Sequence, residues 1–171
     1  MKKNLVLTGM MGVGKSTVGK NLAQKLSYNF VDIDRTIESR EGSTINLIFK
    51  NKSESYFRKL ENKISLEKLK KKNTVISLGG GAFLNKSIRR VVKNTSVSFW
   101  LDIDVAELIK RLKKTKKRPL LYNKNLNDTV NKIYLDRKKT YSEADYRIKC
   151  NFLGPEKIVN KILKLYEKSG N

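Results

Sequence analysis

Histidine is absent from this chain, cysteine and tryptophan occur once each, and proline occurs twice in 171 residues. Without histidine there are no imidazole zinc sites, no histidine general bases and no Ser-His-Asp triads. The lone Cys150 cannot close an internal disulfide, which agrees with a reducing compartment. Long apolar runs are missing too, and none approaches the roughly 20 residues that a membrane span requires. The opening MKKNLVLTGMMG has two lysines before a short apolar run, as a signal peptide does. Gly12, Gly14 and Lys15 interrupt that run, however, and the run reads as a strand, so a cytoplasmic location is expected. There is no internal repeat and no Pro/Gly/Ser-rich linker. With 39% apolar residues the chain has enough for one core, and residues 1–171 are expected to form a single domain.

Acidic residues are scarce: 16 Asp and Glu stand against 38 Lys and Arg, for a net charge of +22. Such a balance invites a nucleic-acid reading. The supporting signatures are missing, because the sequence shows no helix-turn-helix pattern, no zinc-finger cysteines and no aromatics interleaved in a basic strand. The lysines are spread over many segments together with abundant Asn and Ile, as AT-rich codons would place them on solvated faces. Neither nucleic acid nor membrane is expected as a partner. Part of the charge is expected to steer anionic substrates in a salt-dependent way.

What is present is an alternation of short β-rich runs with longer helical patterns. The runs 4–8, 30–33, 74–78, 96–101 and 146–150 read as strands. In 16–26, Val18, Leu22 and Leu26 recur at helical spacing, and in 53–69 Phe57, Leu60, Ile64 and Leu69 form a stripe. Pro155 suits the first turn of a helix over 155–168. Near-continuous apolar strands between helices predict a five-stranded parallel sheet covered on both faces, a three-layer α/β/α fold. Ligands of such folds gather beyond the carboxyl ends of the strands.

The first strand runs into Gly9-Met10-Met11-Gly12-Val13-Gly14-Lys15-Ser16-Thr17, the pattern G-x-x-x-x-G-K-S between a strand and a helix. Glycines let backbone N–H groups curl around phosphates, and the helix N-terminus adds partial positive charge. Lys15 is expected to reach the β- and γ-phosphates and the Ser16 hydroxyl to hold Mg²⁺. The next strand ends in Asp32-Ile33-Asp34, two carboxylates that point to one side if the chain stays extended. One such carboxylate can complete a magnesium shell and another can accept a proton from an alcohol; equally, an Asp there can cap a helix. Arg58 and Glu61 form either a surface i, i+3 pair or part of a site. Gly79-Gly80-Gly81, directly after a strand, suits a tight turn whose N–H groups meet an anionic or hydroxylated ligand. The polar, basic stretch 113–125 reads as an exposed loop, with Pro119 holding the backbone of Arg118 extended. A basic segment that closes over a nucleotide supplies charge around the γ-phosphate and excludes water.

In order and spacing, 9-GMMGVGKSTVGK-20, 32-DID-34, 45-INLIF-49, 57-FRKLE-61, 79-GGG-81, 118-RPLL-121 and 137-RKKTYSEAD-145 resemble the shikimate kinase family nearly end to end. The resemblance implies a P-loop kinase of the nucleoside-monophosphate-kinase type, with a shikimate-binding region at about 33–61 and a mobile lid at about 112–125. It implies transfer of the γ-phosphate of ATP to the 3-hydroxyl of shikimate, in aromatic amino acid biosynthesis. Asp34 would be the general base, with Lys15 and Arg118 as the other catalytic groups. Gly12, Val13, Gly14, Lys15, Ser16, Thr17 and Arg118 would contact ATP, and Arg111 and Pro155 would sandwich the adenine. Ser16 and Asp32 would hold one Mg²⁺. Arg58 and Arg137 would grip the shikimate carboxylate, Gly79, Gly80 and Gly81 would hold ring hydroxyls, Phe49 and Phe57 would wall the pocket, and Glu61 and Asp34 would face the substrate. Ser53-Glu54 stands where the family usually carries Gly-Glu, and Ser is a competent N-cap. A monomer is expected. The competing readings are a P-loop kinase for a sugar acid or a nucleoside monophosphate, and a non-catalytic basic P-loop protein. An Arg pair with a triple-Gly turn suits a small hydroxylated acid better than a nucleotide base.

Overall fold

The computed structural model describes residues 3–113 and 125–170. Its elements run β1 (Asn4–Thr8), α1 (Lys15–Leu26), β2 (Asn29–Asp32), α2 (Ile33–Glu41), α3 (Ile45–Lys52), α4 (Glu54–Leu69), β3 (Thr74–Ser77), α5 (Lys86–Thr95), β4 (Ser96–Asp102), α6 (Val105–Lys113), α7 (Leu126–Tyr141), β5 (Tyr146–Lys149) and α8 (Pro155–Lys168). The five strands form one all-parallel sheet in the order β2-β3-β1-β4-β5. Every residue of the three central strands is buried, as expected where helices cover both faces.

All five sequence-predicted strands are present, β1 with the expected ends and the others with ends shifted by one residue at most. At β2 the shift matters. The strand stops at Asp32, and Ile33 already belongs to α2. Asp32 caps that helix, its carboxylate accepting from the Arg35 N–H at 3.2 Å. Asp34 therefore sits in the first helical turn, not on an extended strand, so the reading of two carboxylates on one side of a strand is corrected and the helix-cap alternative is the one observed. The physical reason is the cap: Asp32 satisfies an orphan donor of α2 and so favours helix from the next residue.

Register between β1 and β3 is pinned by Asn4. Its buried amide donates to the Lys71 carbonyl at 2.5 Å and accepts from the Thr74 N–H at 3.1 Å. At the opposite, carboxyl end of the sheet, Asp102 closes β4. It accepts from Tyr134 Oη at 3.1 Å and from Arg147 Nε and Nη2 at 2.9 and 2.6 Å. The Arg147 guanidinium also lies 4.6 Å above the Trp100 ring. These contacts tie α7 and β5 to β4 close to the end where β1 opens into its glycine-rich loop.

Candidate active site

Gly9 has φ +134° and Gly14, the residue capping α1, has φ +102°. A side chain at Gly9 would run into the Leu101 carbonyl. Only glycine allows the chain to pass β4 and then turn into α1 at these two points. Within the loop, Lys15 is buried and its ammonium donates to the carbonyls of Gly9 and Met10, both at 2.9 Å. It is thus folded back along the loop, with its charge at the place where phosphates would lie. Gly12 and Thr17 are exposed and Val13 is buried. The Ser16 hydroxyl donates to Asp32 Oδ2, which sets two hard oxygens side by side at the mouth of the loop.

Beside the loop opens a small, partly open pocket of about 50 Å³. Asp34, Arg58, Glu61 and Arg137 bring charge to it from α2, α4 and α7; Phe49, Phe57, Ile45 and Met11 give it apolar walls; Gly80 and Gly81 close it. Phe49 and Phe57 touch, with ring centroids 4.9 Å apart. The family resemblance implied most of these residues, separated by up to about a hundred positions, and the fold brings them together. Met11 and Ile45 were not predicted. Met11 occupies a variable position of the phosphate loop, where no sequence signal marks it, and Ile45 opens the INLIF block without a chemical group to single it out.

In the pair Arg58–Glu61 the carboxylate is buried, while the Arg58 side chain is part-exposed at the pocket. Glu61 is only 2% exposed, and its Oε2 receives Arg58 Nη1 at 2.7 Å. Glu61 Oε1 is buried and has no hydrogen-bond partner among the described residues. Burial pushes the Glu61 carboxyl above the ordinary value of 4.5, against the pull of Arg58, and nearby Asp34 pushes the same way. For Arg58, burial opposes the charge, but Glu61 and Glu54 outweigh it and hold its pKa above the ordinary value. The glycines fit against these groups. A side chain at Gly79 would collide with Glu61 Oε1 and come within 2.7 Å of Asp34 Oδ1, and one at Gly81 would approach the Arg58 guanidinium to 2.5–3.0 Å. Arg137 is 9% exposed and donates to the Gly80 carbonyl at 2.9 Å, and the same carbonyl receives the Tyr141 hydroxyl.

The expected adenine contacts lie on two separate segments. Arg111 on α6 donates to Glu107 Oε1 at 2.5 Å, while Glu107 Oε2 accepts from the N–H of Phe152, three residues before Pro155. One carboxylate therefore links Arg111 to the loop leading into α8. Arg118 and most of the segment expected as a lid, 112–125, lie outside the described residues.

A glycine-rich loop with a buried lysine, next to a pocket of paired arginines and a carboxylate on a parallel sheet of this order, defines a P-loop phosphotransferase for a small anionic acceptor. The sequence carries the match further. The family model described as shikimate kinase matches residues 11–167. The shikimate kinase of Persephonella marina is 44% identical over 161 residues, 94% of this chain and 97% of that protein, and that of Sulfurihydrogenibium sp. is 42% identical over 161 residues. Among solved structures, the Acinetobacter baumannii shikimate kinase in complex with shikimate superposes with a TM-score of 0.94 at 33% identity, covering 98% of this chain and 94% of that one. A gluconokinase from Sinorhizobium meliloti, at 14% identity and a TM-score of 0.62, shares the fold alone. The chain belongs to the shikimate kinase family. It is a phosphotransferase with an alcohol acceptor and uses ATP. Among the described residues no helix is long and apolar enough to cross a membrane.

Proposed function

We propose that the pocket holds shikimate and that the protein moves the γ-phosphate of ATP onto its 3-hydroxyl, giving shikimate 3-phosphate and ADP. The observation that carries this reading is the convergence of Arg58, Arg137, Asp34 and the glycine turn in one pocket beside Lys15. Two guanidiniums offer a planar fork to a carboxylate, and the apolar Phe49 and Phe57 suit the face of a small ring. Asp34 accepts the hydroxyl proton as the oxygen attacks the γ-phosphorus and the bond to ADP breaks. Lys15 leaves its loop carbonyls for the β- and γ-oxygens and offsets the charge that builds there, and Arg118 adds charge from the segment after α6. Gly12, Val13, Gly14, Ser16 and Thr17 surround the phosphates, and Arg111 with Pro155 brackets the adenine.

The donor set fits Mg²⁺. The Ser16 hydroxyl and Asp32 carboxylate are hard oxygens in contact, and an ion that keeps several waters and binds phosphates needs little more from the protein. Ser16 and Asp32 would hold it, and when bound it neutralises charge on the β- and γ-phosphates. The reading places the protein in the cytoplasm as a monomer, with a single domain and its lid over about 112–125.

The test is ADP release from Mg-ATP with shikimate, with gluconate, with nucleoside monophosphates and without acceptor. Turnover with shikimate, at least 100-fold above the other arms as a stated threshold of about 2.7 kcal/mol, is the expected result. Equal or faster turnover with gluconate or a nucleotide would overturn the pocket assignment.

A further inference from the structure

We propose that Tyr141 is a positioning residue for the acid pocket: with Arg137 it anchors the Gly80 carbonyl, and so fixes the glycine turn and the arginine together. The assignment rests on reading this pocket as the shikimate site.

Tyr141 ends α7, four residues after Arg137, and i, i+4 spacing sets both side chains on one face of the helix. Both reach the same atom. Arg137 Nη1 donates to the Gly80 carbonyl at 2.9 Å, and the Tyr141 hydroxyl donates to it as well. A carbonyl oxygen has two lone pairs, and here both receive a donor. The Gly80 carbonyl and the Gly81 N–H belong to one rigid trans peptide and point opposite ways, so holding the oxygen sets the direction of the N–H. Three glycines have no side chains through which the fold can grip them, which leaves backbone groups as the handles. A loose turn would also loosen Arg137, since that guanidinium has one donor committed to the same oxygen.

Packing alone does not call for a tyrosine here. Tyr141 is fully buried and its ring lies 6.0 Å from that of Trp100, a contact phenylalanine would keep. A buried hydroxyl is costly unless bonded, and this one is spent on Gly80 with Met10 Sδ 4.0 Å away. Burial raises the pKa of Tyr141, though Arg137 pulls it down, so the group remains a donor throughout the neutral range.

The experiment compares Tyr141→Phe with the parent and with Tyr134→Phe, which removes a hydroxyl from the same helix that donates instead to Asp102. Shikimate affinity without nucleotide is read by calorimetry, and KM for shikimate and for ATP by ADP release. In Tyr141→Phe, shikimate Kd and KM are expected to rise about 3- to 10-fold, the worth of one hydrogen bond, with the ATP KM within about twofold of the parent. Tyr134→Phe is expected to melt earlier and to leave the shikimate constants unchanged. Unchanged shikimate constants in Tyr141→Phe overturn the proposal. So does a parallel rise for shikimate and ATP, or an equal effect of Tyr134→Phe, because either would mean general loosening. A parent protein that binds no shikimate would instead overturn the reading of the pocket, and the parent calorimetric trace separates that failure from the others.

Discussion

Asp34 and Glu61 are two carboxyls at one turn of glycine, with different chemical situations. Asp34 sits in the first turn of α2 and lines the pocket. Glu61 is buried, has one oxygen without a hydrogen-bond partner among the described residues, and is pushed toward its neutral form. Asp34→Asn is expected to keep the fold and ATP binding while turnover falls by about 10²–10⁴, the usual worth of a positioned proton acceptor. Steady-state kinetics with ATP binding as control checks this, and wild-type turnover would remove Asp34 from that role. For Glu61 the prediction concerns stability. Its folded-state pKa lies above 4.5, so between 4.5 and the shifted value the folded protein holds a proton that the unfolded chain has lost. Stability from this group is complete below that window and declines as pH rises through it. Glu61→Gln cannot titrate. Its melting temperature is therefore expected to gain on the parent as pH rises from about 4.5 toward neutrality, while shikimate KM rises because Arg58 loses its closest partner. A constant gap between the two melting curves across that range would show that Glu61 is charged at no cost.

Among the elements, the start of α4 carries a visible strain. Ser53 has φ +86° and ψ +161°, a region essentially reserved for glycine, while its hydroxyl accepts from the Tyr56 N–H at a long 3.4 Å. The sequence flagged this position because Ser53-Glu54 replaces the family's Gly-Glu, and the cap that serine was expected to supply is present but weak. Ser53→Gly is expected to raise stability by about 1 kcal/mol, since the relieved backbone strain exceeds the few tenths lost with the cap. Thermal or urea melts decide it, and a destabilised variant would mean the hydroxyl outweighs the dihedral. The same helix shows what could be read beforehand. Its apolar stripe through Phe57, Leu60, Ile64 and Leu69 predicted which side faces the core; Phe57, Ile64 and Leu69 are buried there and Leu60 is partly buried. The stripe could not say that Glu61, a charged residue on the same side, goes in with it, because the compensating Arg58 contact is a side-chain geometry and not a pattern. Likewise the strands were legible from Val and Ile content, but the switch from β2 to α2 at Ile33 turns on one capping bond by Asp32. Tyr141 lay within a quoted motif, yet its target is the backbone of Gly80, 61 positions away, and backbone acceptors leave no mark in a sequence.

At the scale of the whole molecule, a net charge of +22 on 171 residues bears on both stability and encounter. Like charges spread over a compact body repel one another, and unfolding relieves that repulsion by moving them apart. The groove between β5 and α8 shows the pattern, with Arg147, Lys149, Lys161, Lys164 and Lys168 around an apolar floor of Ile148 and Leu165. The same field is expected to draw in anionic substrates. Salt acts on these two effects in opposite directions. Going from about 0.01 M to about 0.1 M ionic strength shortens the screening length from about 30 Å to about 10 Å, less than the span of the domain. The melting temperature is therefore expected to rise over that range as self-repulsion is screened. Over the same range kcat/KM for shikimate is expected to fall severalfold, with kcat nearly unchanged, since contacts inside the pocket are screened far less than the approach to it. If kcat/KM stays flat while the melting temperature climbs, the lysines act on the fold and not on the substrate. If kcat falls with kcat/KM, salt is reaching the phosphate site itself, and competition at Lys15 replaces steering as the explanation.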